Sequence, residues 1–268
     1  MITVLPEGGL CNRMRVVASA WLLSKATGQP MRVLWHRTPD FNARFDSIFS
    51  TAKLPFDVLE RSAMTPIGRG GFRLREYWAR LSGNYVLGER ETEPGKFQME
   101  SALKAIDGRD VFVHTNSRLV FDPEMYKLFV PATEAAALIE ELRASVADSV
   151  GVHVRRTDNT QALRESTLEQ FIALMKVEVE SNPKTRFFLA TDDPEVTAAL
   201  QANFAERVQE YKKRAYSRND PLAIVDAVVD LFALGNCRKL IGSYWSSFTD
   251  TAAELNGIEC VIARSSEN

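Results

Sequence analysis

The sequence predicts an α/β protein whose second half is a parallel, Rossmann-like layer structure and whose first half is a smaller, less regular relative. Three observations predict this. Strands separated by single helices fill the second half, which implies a parallel sheet covered on both faces. Val150, Val152 and Val154 in "VGVHVRRTDN" are β-branched and suit a buried strand. The chain has 268 residues, 45% hydrophobic and 25% charged, enough for one large or two modest domains.

In chain order, "MITVLPEGG" reads as strand then turn. "NRMRVVASAWLLSKATG" continues as a helix, with Met14, Val17, Ala18, Trp21 and Leu22 at apolar positions and a stop at Gly28. "MRVLWH" and "FDVLE" are further strands. Residues 64–97 read as an elaborated loop region in which only "FRLREYWARL" is helical. "DVFVHTN" is a strand, and after Pro123 and Pro131 the run "TEAAALIEELRASV" is a helix capped at Thr133. The domain boundary falls near 115–132, giving domains 1–118 and 119–268. Regular alternation follows: strand "SVGVHVRR", helix 167–181, strand "RFFLATDD", a helix from Pro194, strand "VQEY", helix 220–234, strand "KLIGSYW", helix 247–256 and strand "ECVIA". There is no internal repeat and no low-complexity tract.

Thirty-three Lys and Arg oppose thirty-five Asp and Glu, a formal charge of -2, so no global positive field argues for nucleic acid or an anionic membrane. Any anion site is local. Cys11, Cys237 and Cys260 are odd in number and far apart, without metal-ligand spacing, which favours a reduced compartment. The N-terminus lacks the basic and apolar regions of a secretion signal, and no run approaches the roughly 18 apolar residues of a membrane span. An intracellular, cytoplasmic protein is expected.

Ligands of open parallel sheets bind at the carboxyl ends of the strands, and three such ends carry unusual chemistry. Two adjacent guanidiniums, Arg155 and Arg156, are costly to bury unless something negative meets them. Alternation places His153 and Arg155 on one face and turns Arg156 to the other, toward the scaffold and a partner such as Asp158. In "FFLATDDP", Pro194 makes Asp193 a natural N-cap and leaves Asp192 to a ligand or a turn. In "LIGSYWSSFTDTAAEL", Ser246 and Ser247 precede a helix whose N-terminus suits phosphate, with Ser247 and Asp250 at capping-box spacing. The turn "EGGLCNRMR" resembles an anion or sugar cradle but is neither dinucleotide fingerprint nor P-loop. Trp21 and Trp35 read as core, whereas Trp78 and Trp245 lie in stretches where an exposed ring could face a sugar, although burial is the commoner fate of such residues. The constellation suits a diphosphate. It contains no acidic cluster for Mg²⁺, so an Arg would replace the metal at a leaving diphosphate.

"GGLCNRMRVVASAWLLSKATG", "VGVHVRRTDN", "FFLATDDPEV" and "DAVVDLFALGNCRKLIGSYWSSFTDTAAEL" resemble, in that order, the fucosyltransferase superfamily that joins α-1,6-, nodulation and protein O-fucosyltransferases. The resemblance implies a GT-B fold of two Rossmann-like domains with a cleft between them. It further implies GDP-fucose as donor substrate with no further cofactor, inversion at the sugar carbon, a glycan or other hydroxyl acceptor and no obligatory metal. By motif, Arg155 would hold the β-phosphate with His153 nearby on the nucleotide, Asp230 would meet the guanine, and Ser246 and Ser247 the phosphates. Asp192 would lie near ribose or base, Asn12 would face the donor sugar, and Arg156 belongs to the same donor-binding run. Where the α-1,6 enzymes carry a lysine and a proposed glutamate base, this chain has Asn159 and Leu163, leaving Glu165 and Asp158 as substitutes. The chain is also short for the family. The alternatives are a non-catalytic nucleotide-sugar sensor or scaffold of the same fold, and a nucleotide-dependent oxidoreductase that lacks its fingerprint.

Overall fold

A computed structural model describes residues 1–64, 66–156, 160–217 and 219–264. It is α/β and GT-B-like, with two parallel five-stranded sheets. The chain divides into Met1–Thr133 with Ser217–Val225, and Glu134–Tyr216 with Asp226–Asn268.

In the first unit, β1 (Ile2–Pro6) lies mid-sheet. β2 (Met31–Arg37) and β3 (Asp57–Ser62) succeed it on one side, and β5 (Val111–Thr115) and then β4 (Tyr85–Leu87) lie on the other. Helix α1 (Leu10–Thr27) buries Leu10, Met14, Val17 and Ala18, and Gly28 ends it in a left-handed conformation at φ 68°. The short α2 (Phe45–Ile48) packs Phe45 edge-on to Trp35, which is fully buried.

The stretch read as a loop is more ordered than expected. Helix α3 (Pro66–Leu81) extends beyond "FRLREYWARL", and β4 and α4 (Met99–Ile106) were not foreseen. The glycines before Phe72 weaken helix propensity by about 1 kcal/mol each, yet packing of the helix overrides propensity. β4 is a three-residue strand, too short for an alternating signal.

In the second unit, β6 (Val150–Val154) is central. β7 (Phe187–Thr191) and β8 (Val208–Glu210) flank it on one side, and β9 (Lys239–Ser243) and β10 (Cys260–Ala263) on the other. This is the strand order of a Rossmann sheet half. The helices are α5 (Thr133–Val146), α6 (Thr160–Glu165), α7 (Leu168–Ser181), α8 (Pro194–Phe204), α9 (Pro221–Gly235) and α10 (Ser247–Asn256). Thr133 lies inside α5 and not ahead of it as its cap.

The two faces of β6 differ. Val150, Val152 and Val154 enter a core with Phe171, Met175, Phe187, Leu189 and Leu200. Gly151 faces Leu234 and Cys237 so closely that an added Cβ would lie 3.0 Å from Leu234 Cδ2. On neighbouring β9, a Cβ at Gly242 would fall 2.1 Å from Thr249 Cγ2, so α10 sits against bare backbone there.

Gly242→Ala is therefore expected to destabilise the protein by about 1–3 kcal/mol through overpacking. Gly71→Ala in α3, with nothing within 4 Å, should leave the melting temperature unchanged or raise it. Thermal melts of both variants check this, and equal losses would contradict it.

Candidate functional site

The order of the second sheet reverses between β6 and β9, and a crevice opens at such a switch point. The described residues close it with polar side chains. Ser243 Oγ, at the end of β9, accepts from the Arg155 N–H at 2.9 Å and donates to the His153 carbonyl at 3.1 Å. Asp192, just past β7, accepts from the Arg156 N–H at 2.9 Å through Oδ1, while Oδ2 lies 2.8 Å from Arg155 Nη1. The turn after β6 is thus held to both neighbouring strands.

β6 ends at Val154, so strand alternation does not itself orient Arg155 and Arg156. Asp192 does so instead. Both charged groups of the Arg155–Asp192 pair are mostly buried, 17% and 20% exposed, and each offsets the other's desolvation. Arg156 is half-buried; the Glu169 carboxyl at the start of α7 is lowered by its own backbone N–H and the Thr167 hydroxyl, with only a minor contribution from the Arg156 charge. Its expected partner Asp158 lies outside the described residues.

His153 is buried with its Nδ1 2.8 Å from Thr249 Oγ1 and its ring stacked on Phe248 at 4.7 Å. Burial, reinforced by the Arg155 charge, pushes the imidazole down to about 3, so it is neutral at physiological pH. The α10 N-cap is Ser246, whose side chain accepts from Thr249 N–H. The cap is thus one position earlier than the capping-box spacing placed it, and Ser247 is the first helical residue. Trp245, between β9 and α10, has φ 52° and is 64% exposed. A bulky residue in the left-handed region marks local strain of the kind found at binding sites.

Asp230 lies on α9 beside Asp226, one turn away. Asp226 is fully enclosed and accepts from Tyr211 Oη at 3.1 Å and from Arg214 N, Nε and Nη2. It is spent on structure. Asp230 Oδ2 meets Lys213 Nζ at 2.9 Å, whereas its buried Oδ1 has no partner. Burial outweighs the lysine and lifts the Asp230 carboxyl to about 6, while Lys213 stays protonated.

Glu165, at the end of α6, is engaged by Arg164 at 2.7 Å. Next to it, Ser166 Oγ accepts from Tyr244 N–H at 2.8 Å, so this loop abuts the end of β9. The structure therefore gathers His153, Arg155, Asp192, Ser243, Ser246 and Thr249. Ser243 and Thr249 were not singled out by residue type, since a serine or threonine is a common terminator and only packing shows what it binds.

Asn12 belongs to the first unit, in the first turn of α1, with its amide nitrogen 2.6 Å from where a Gly8 Cβ would be. That sheet reverses between β1 and β5, and a second polar array stands there. His114 Nδ1 is 2.8 Å from Glu76 Oε2, and its Nε2 is 3.0 Å from Glu7 Oε1. Glu7, Arg13, Phe72, Glu76, Tyr77 and His114 help line a cavity of about 930 Å³. Glu7 follows the end of β1 just as Arg155 follows β6, and His114 is the penultimate residue of β5; position at a strand's carboxyl end is the signal that points to them. Glu76 comes from α3 and is found only by folding. Among the described residues, no group of three or more His, Cys, Asp or Glu side chains could hold a metal ion.

No family model and no curated protein sequence matches the chain. Solved structures do. NodZ α-1,6-fucosyltransferase soaked with GDP-fucose aligns with TM-score 0.60 at 19% identity, over 95% of this chain and 92% of that one. The fold is that of fucosyltransferases. An Arabidopsis thaliana FUT1 mutant in complex with GDP aligns at TM-score 0.62 and 12% identity, over 100% of this chain and 70% of that one. POFUT1 in complex with GDP-fucose aligns at TM-score 0.56 and 11% identity, over 98% and 97%. This fold likeness includes the GT-B character that the motifs suggested.

The acid–histidine array has a defined pH signature. Burial pulls His114 down, but Glu7 and Glu76 outweigh it and raise it above 6.5. His114 holds Glu7 below 4.5; at Glu76 burial opposes, but His114 and Arg80 prevail and lower it too. The histidine contribution is complete below 6.5 and lost as pH rises through its raised value. The carboxylate contributions are complete above 4.5 and lost as pH falls. The melting-temperature gap between wild type and His114→Gln should therefore be larger near pH ~6 than near pH ~9. A gap that stays constant or widens on the alkaline side would contradict the arrangement.

Proposed function

We propose that the protein is an inverting, metal-independent glycosyltransferase that moves fucose or a related sugar from GDP-fucose to a hydroxyl of a glycan or other acceptor. The observation that carries this reading is Arg155 at the β6/β9 switch point, fixed by Asp192 and Ser243 beside the N-terminus of α10. A guanidinium has five donors in a fork, so contact with Asp192 and contact with a diphosphate are compatible. The GDP and GDP-fucose complexes of the fold neighbours support a nucleotide sugar as ligand.

In this reading Arg155 and the first N–H groups of α10, at Ser246 and Ser247, receive the diphosphate in place of a cation. Neutral His153 contributes hydrogen bonding and no charge. Arg156 and Asp192 shape the turn that presents Arg155, and the partnerless Asp230 Oδ1 would accept from guanine. Asn12, in the motif that opens α1, would contact the donor sugar.

For the base, Glu7 stands ahead of Glu165 and Asp158. It is ionised at neutral pH, lines a cavity large enough for a sugar, and is backed by His114 and Glu76. Glu165 is tied to Arg164. The closed Arg155–Asp192 pair is also what a non-catalytic nucleotide-sugar-binding protein would show, and turnover separates the two readings.

GDP release from GDP-fucose, with and without an acceptor mixture, is the deciding assay. Turnover should survive EDTA. Arg155→Ala should lower it about ten- to a hundredfold, and Arg155→Lys should recover little because the fork is lost. Glu7→Gln should reduce transfer more than donor hydrolysis. No GDP release by the folded protein, or a collapse in EDTA restored by Mg²⁺, would overturn the reading.

A further inference from the structure

Leu74, Tyr77, Trp78 and Leu81 recur at helical spacing along α3, and all are exposed, at 56%, 56%, 58% and 59%. At about 100° per residue they form one stripe opposite Phe72 and Ala79, which enter the core with Leu5, Leu34, Val86 and Phe112. The helix is apolar on two opposite sides, and only one is covered. A contiguous exposed patch of large apolar side chains marks an interaction surface.

Charge identifies what it meets. Exposed Arg73 and Arg80 border the stripe on one side and exposed Arg75 borders it on the other. Arg80 pairs with Glu76 and Glu91, but Arg73 and Arg75 have no acidic partner within salt-bridge distance among the described residues. From Phe72 to Leu81 the single acid is Glu76, turned toward His114 and Arg80. A self-complementary contact between two copies would set these arginines against their own kind, with little to offset them.

We propose that this face of α3 docks on an anionic lipid bilayer, with the helix lying in the interface plane. The four apolar side chains enter below the headgroups, the Trp78 and Tyr77 rings sit at the amphipathic boundary, and the flanking arginines meet lipid phosphates. This is surface attachment: no described helix is long and apolar enough to cross a membrane. Attraction is local and screened by salt, since the chain as a whole carries -2. Arg73 and Tyr77 also line the 930 Å³ cavity of the first unit, so docking brings that cavity to the lipid surface. The inference does not depend on the transferase reading.

The test is flotation of the full chain with phosphatidylcholine vesicles and with vesicles that also contain phosphatidylglycerol. Wild type should float with the anionic vesicles, less so as salt rises, and hardly with the neutral ones. Trp78→Ser combined with Leu81→Ser should cut partitioning about tenfold or more, from the apolar area withheld from lipid. Arg75→Glu should weaken it separately and lower its salt dependence, with melting temperatures confirming that each variant is folded. Wild type that stays unbound with both vesicle types overturns the proposal, as does equal flotation of wild type and the double variant. A concentration-dependent dimer abolished by Trp78→Ser, without vesicle binding, assigns the face to a second copy and overturns it too.

Discussion

Both sheets start in the middle. β1 and β6 are central strands, and the chain leaves each toward one edge before returning to fill the other. Where the order reverses, the loops on either side diverge and the strand ends are left without a neighbouring loop to cover them. Backbone groups there need side-chain partners, because an unpaired buried amide costs as much as a lost hydrogen bond. Ser243 and Asp192 provide them in the second unit by binding the Arg155 and Arg156 N–H groups. The polar residues at the candidate site thus finish the fold as well as offering chemistry.

The same economy governs the buried charges. Asp226, with no exposure, is enclosed by Tyr211 and Arg214 and is fully engaged. Asp230 is half engaged, with Lys213 on one oxygen and nothing on the other, and burial accordingly lifts it to about 6. Arg155 and Asp192 lie between these cases, paired but nearer to solvent. A pair of that kind presents a fixed guanidinium to an incoming anion at little reorganisation cost. The Asp226 cage, in contrast, stabilises α9 and offers no acceptor.

Regular strand and helix alternation beyond residue 150 was legible because fully buried parallel strands are short apolar runs with sharp ends. Helix 247–256 coincides with its sequence-based bounds. The region before it was legible only in part. β4 is short, and α3 carries apolar residues on two sides, so neither shows a clean period. At the site, residue type at strand ends pointed to His153, Arg155 and Asp192. It did not reveal that Arg155 pairs with Asp192, because that contact spans two strands. Glu7, His114 and Glu76 were missed for the same reason: their meaning lies in a three-way contact between elements far apart in sequence.

The central claim is that the β6/β9 switch point receives a diphosphate through Arg155 and the α10 N-terminus. Calorimetric titration with GDP and GMP isolates the terminal phosphate, because the two ligands share every other group. The account predicts that the wild-type chain binds GDP at least about tenfold more tightly than GMP, and that Arg155→Ala removes most of that difference while leaving GMP affinity nearly unchanged. Equal affinities for GDP and GMP in the wild-type chain would contradict it.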